Sequence, residues 1–70
     1  MDIYEYAEKM LGRKLTILER RVIRSVHLHR HKNPEWKPEK ASIGWSAADL
    51  ARYKTLSPIV DQYLQVNANA

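Results

Sequence analysis

The sequence predicts an all-α fold: a small single domain of about four short helices, with a long Trp-pinned loop between the second and the third. Three observations carry this expectation. Capping residues stand ahead of apolar positions spaced three and four apart, and no apolar–polar alternation persists long enough to make a strand. The chain has 70 residues and no cysteine, so packing alone must hold it together, without disulfides or a thiolate metal site. At this size only about 60% of the unfolded chain's surface is buried on folding, which leaves little room for a large ligand cavity.

Asp2 caps the first predicted helix, with Glu5 three residues on, and Ile3, Ala7, Met10 and Leu11 share one face before Gly12 stops it. Thr16 and Glu19 have the spacing of a capping box for a second helix from about Ile17 to His31, which Asn33-Pro34 ends. A third helix begins at Ser46, paired with Asp49, and Trp45 and Leu50 occupy the positions of a hydrophobic staple. Ser57-Pro58 opens a fourth, because proline is best tolerated in a first turn; Ile59 or Val60, Tyr63 and Leu64 would face inward. These elements make residues 1–65 one domain and residues 66–70 a disordered tail.

Between the second and third helices, residues 32–45 contain two prolines and a glycine, which exclude a continuous helix. Connections this long are uncommon in compact domains. Trp36 and Trp45 either clamp the loop onto the core or present a ring to a base or partner.

The net charge of +4 is unevenly placed: residues 12–40 hold nine basic side chains against three acidic ones, a local balance of +6, so the remainder sums to −2. This asymmetry favours a polyanion, with nucleic acid first and an acidic protein surface second; a merely solvated cationic face is the bland alternative. No run of residues approaches the roughly 18 apolar positions of a membrane span. The acidic start, Met1-Asp2-Ile3-Tyr4-Glu5, is unlike a secretory signal, so a cytoplasmic protein without a membrane partner is expected.

On a helical wheel of the second helix, Leu18, Val22 and Val26 form the core face, with Ile23 on one flank and Ile17 and Leu28 on the other. His29 projects into the apolar arc and reads as a hydrogen-bonded core histidine. Opposite lie Arg20, Arg24, His27 and His31, a narrow cationic stripe suited to phosphates or to solvation. His27 and His31 also have the spacing of a zinc pair, but no obvious third ligand stands nearer than Glu35 and the neighbouring arginines oppose a cation; no metal or other cofactor is expected. Catalysis has little to stand on either. No cysteine nucleophile is present, Asp2, Asp49 and Asp61 read as helix-end residues, and Ser46 and Ser57 read as caps.

From Leu15 onward the chain resembles the trihelical core of helix-turn-helix and winged-helix DNA-binding regulators, over residues 15–65. Leu15-Thr16 and the helix from Glu19 to Val26 are similar to that family's first helix, Ala48-Asp49-Leu50-Ala51 to its second, and Leu56-Ser57 to its turn. Val60 and Leu64 would anchor the third, or recognition, helix. The resemblance implies a DNA-associated role in transcription regulation, with Gln62 and Gln65 at base edges. That last helix carries no lysine or arginine, so phosphate contacts fall to Arg20, Arg21, Arg24, His27 and His31 of the second helix and to Lys37 and Lys40 of the loop. The alternative is a protein-binding adaptor or inhibitor, gripping an acidic patch with the same stripe and using Trp36 or Tyr6 as an aromatic anchor.

Overall fold

The computed structural model describes residues 1–38 and 44–68, and they form three helices: α1 (Ile3–Leu11), α2 (Ile17–Lys32) and α3 (Ala47–Ala68). Among the described residues there is no strand, and no helix is long and apolar enough to cross a membrane. The chain spans 35 × 27 × 14 Å, a flat shape whose radius of gyration is 11.8 Å.

The caps form where the residues predict them. Asp2 Oδ1 accepts from the Glu5 amide at 2.8 Å, and Gly12, in the left-handed region at φ 72°, closes α1 by donating to the Glu8 carbonyl. At the start of α2 the capping box is complete, since Thr16 Oγ1 accepts from the Glu19 amide and Glu19 Oε1 accepts from the Thr16 amide. Ser46 Oγ accepts from the Asp49 amide at 3.1 Å ahead of α3.

Glu19 does a second job. Its carboxylate receives both Arg13 guanidinium nitrogens, at 2.8 and 2.7 Å, and so locks the α1–α2 turn. Glu8 assists by accepting from the Leu15 amide at 2.9 Å. The hydrogen bond from Arg13, and then that from the Thr16 amide, hold the Glu19 carboxyl down at about 2, below its ordinary value. A depressed carboxylate contributes stability above its unfolded pKa and loses it as pH falls through the folded one. Acid titration should therefore remove stability between about pH 4.5 and 2, on the order of 2 kcal/mol once solvent screening of the half-exposed Arg13 is allowed for. In Glu19→Gln that part of the acid loss should vanish from the chemical-denaturation profile; an unchanged profile would refute the assignment.

The core is Ile3 and Ala7 of α1, Val22, Ile23 and Val26 of α2, and Leu56 and Val60 of α3. Against it lie the half-buried rings of Trp36, Trp45, Tyr53 and Tyr63. Trp36 and Trp45 have centroids 6.0 Å apart, and each meets Tyr53 edge to face, so the clamp expected of the loop is present.

Five expectations are corrected. The third and fourth helices are one: α3 runs 22 residues through Ser57-Pro58, with no turn at Leu56-Ser57. Proline removes one amide donor and disfavours helical backbone before it, yet Leu56 and Val60 on either side are fully buried, and their burial outweighs the local preference. Residues 66–68, expected in the tail, extend the same helix, and Asn67 Nδ2 donates to the Tyr63 carbonyl at 3.0 Å. On α2 the inward arc is rotated by about 60° from the expected one. Ile17, Leu18 and Leu28 are 78%, 42% and 54% exposed, while Glu19 and Arg30 are buried in their place. On α1, Met10 is exposed. Finally, His29 is not in the core. It is exposed, donates from Nδ1 to the Ser25 carbonyl at 2.8 Å and stacks on Trp36 with centroids 4.3 Å apart.

Candidate nucleic-acid interface

Between Glu19 and Glu35 the chain has no acidic residue, so α2 past its first turn carries only cationic charge. The fold sorts these cations into paired and unpaired sets. Arg30 is turned inward: its Nε donates to the Trp36 carbonyl at 2.6 Å, one terminal nitrogen pairs with Asp61 and the other donates to the Tyr53 hydroxyl. Burial works against the guanidinium charge, but the Asp61 hydrogen bond and charge more than restore it, so Arg30 sits above its ordinary pKa. Arg20 lies back on α1, with its guanidinium 5.2 Å from the Tyr4 ring centre and 3.8 Å from Glu8. Among the described residues Arg21 and Arg24 have no acidic partner, and both are exposed.

The predicted contact residues are thus distributed over two flanks of α2. Arg21 and Arg24 line a groove of about 400 Å³ between α2 and the Gly44-Trp45 turn, with Leu28, His29 and Asp49. His27, His31 and Gln65 line a second groove of about 740 Å³ between α2 and the C-terminal half of α3, beside Asp61 and Asn67. The cationic stripe is not uniformly free, because Arg20 leans on Tyr4 and the His27 ring meets Tyr63 edge-on at 5.9 Å. Gln62 and Lys37 are exposed but line neither groove. Lys40 lies outside the described residues. Among those described, no third His, Asp or Glu joins His27 and His31 as a metal set.

Asp61, read from the sequence as a helix-end residue, lies within α3 and bonds Arg30. The signal for this is present in the sequence. Arg30 follows Val26 by four residues and Ile23 by seven, on the helical face that packs inward. A wheel centred on Leu18 misses it. No family model, curated protein or solved structure matches the chain.

Proposed function

We propose that the protein is a small DNA-associated regulator that binds the polynucleotide backbone through the outer face of α2, with Arg21 and Arg24 as its principal phosphate contacts. The observation that carries this reading is the surface of α2 past its first turn, which bears no acid and exposes these two arginines, while Glu8, Asp49 and Asp61 are paired with other arginines. Because α3 is continuous, the mode is backbone docking by α2 and not insertion of a separate helix after a turn.

The test is a mobility shift with mixed-sequence duplex over a range of salt. Arg21→Ala with Arg24→Ala should weaken binding to every duplex alike and flatten the slope of log affinity against log salt by about 1.8, or about 0.9 for each phosphate left without its arginine. Their exposure predicts little change in melting. A double variant with the parent's affinity and slope would refute the reading.

One feature favours a second reading, docking on an acidic protein surface. Ile17, Leu18 and Leu28 are exposed beside these arginines, a mixture that phosphates do not need and protein interfaces use. A second copy of the chain would oppose arginine to arginine there, so the partner must be acidic. Leu18→Ser with Leu28→Ser should abolish capture of such a partner and leave duplex binding intact.

A further inference from the structure

The groove beside Arg21 and Arg24 has more to it than charge. One wall is built from Arg21, Arg24 and the aliphatic Leu28; the other is Trp45, half-buried and held against Trp36 and Tyr53. Gly44, at φ 96°, makes the turn that delivers the indole, a conformation that side chains other than glycine's rarely adopt. At about 400 Å³ the space falls within the range of small-ligand sites, and it is far too small for a duplex. Among the described residues the one acid on its lining, Asp49, is paired with Arg52 at 2.8 Å, so its charge is largely answered before any anion arrives. His29, stacked on Trp36, adds a second ring at the groove.

A planar ring with an anion one sugar away matches this combination of an indole wall and two arginines that have no acidic partner among the described residues. We propose that the groove between α2 and the Gly44-Trp45 turn holds one nucleotide of a single-stranded nucleic acid, its base against Trp45 and its phosphate on Arg21 and Arg24. The inference rests on the reading of α2 as a backbone-binding face and adds base stacking to it. A duplex keeps its bases inside the stack and can reach only the rim, whereas a single strand can place a base within. DNA and RNA share the chemistry that the groove recognises.

Tryptophan fluorescence tests this directly. In Trp36→Phe, where Trp45 is the only indole, oligo(dT) or oligo(U) should quench the emission, and blunt duplex at equal phosphate concentration should quench little. The stronger quencher of the two identifies the preferred sugar. Trp45→Leu should lower single-strand affinity by roughly 5- to 150-fold, the range seen when one stacking aromatic is removed, and Trp45→Phe should restore most of it. Circular dichroism confirms that each variant is folded, and if Trp45→Leu unfolds, the quenching and Arg21→Ala with Arg24→Ala still decide the matter. No quenching by either single strand, equal quenching by duplex or by polyglutamate, or quenching unaltered by the arginine variant would each overturn the proposal. Salt-dependent duplex binding without single-strand quenching would remove the base site and leave the backbone reading standing; absence of both would remove both.

Discussion

Leu56→Ala is expected to leave the chain largely unfolded. Leu56 is 1% exposed, and emptying such a site costs about 2 to 5 kcal/mol. A core in a domain this short rarely supplies more than about 3 to 5 kcal/mol in total, so the loss is comparable to the whole stability. Far-UV circular dichroism should show the helical signal of the variant much reduced and its cooperative transition weakened or gone. Pro58→Ala should move the other way. Within a continuous helix proline costs up to about 3 kcal/mol relative to alanine, whereas at the first turn of a separate helix it would be neutral or helpful. A Leu56→Ala variant with an unaltered denaturation midpoint, together with a destabilised Pro58→Ala, would mean that the chain turns at Leu56-Ser57 and that α3 is two helices.

The second large effect is an asymmetry within one ion pair. The Arg30 side chain is 9% exposed and that of Asp61 is 53% exposed, so the two do not carry equal risk. Asp61→Ala strands a buried guanidinium with only the Trp36 carbonyl and the Tyr53 hydroxyl, and should cost about 3 kcal/mol. Arg30→Met removes the buried charge, fills similar volume and returns Asp61 to water, so about 1 to 2 kcal/mol is expected. The double variant should be more stable than Asp61→Ala alone, because its alanine no longer faces an uncompensated charge. Guanidinium denaturation of the four proteins gives the cycle. If Arg30→Met proves the more damaging single change, the guanidinium acts mainly through its bonds to Trp36 and Tyr53 and not through its charge.

Local signals are legible in the sequence and long-range ones are not. The Asp2, Thr16–Glu19 and Gly12 caps depend on residues within a few positions of one another, and each forms as its spacing predicts. The Ser57-Pro58 helix start is equally local but is overruled from outside, by the burial of Leu56 and Val60 against α1 and α2. A continuous helical spacing, Tyr53, Leu56, Val60, Tyr63, crosses the proline and is the better guide. On α2 the apolar residues outnumber the places in so thin a core, so hydropathy alone does not say which will be left outside; the turn anchored by Glu19 and the pairing of Arg30 with Asp61 set the rotation. The same rotation divides the predicted contact residues, placing Arg21 and Arg24 on one flank and His27, His31 and Gln65 on the other.

The flatness of the molecule has a calorimetric consequence. Its surface of 5177 Å² exceeds the roughly 4,500 Å² usual for a compact monomer of this mass, so somewhat less than usual is buried and unfolding absorbs correspondingly less heat. Seventy residues release only about 150 cal/mol/K of entropy on melting, so each kcal/mol of added stability raises the transition by about 7 °C. A ligand of the native state present at a hundred times its dissociation constant contributes about 2.7 kcal/mol, and so would lift the transition by about 18 °C. The thinness that limits the fold makes it a sensitive thermometer for whatever occupies the flanks of α2.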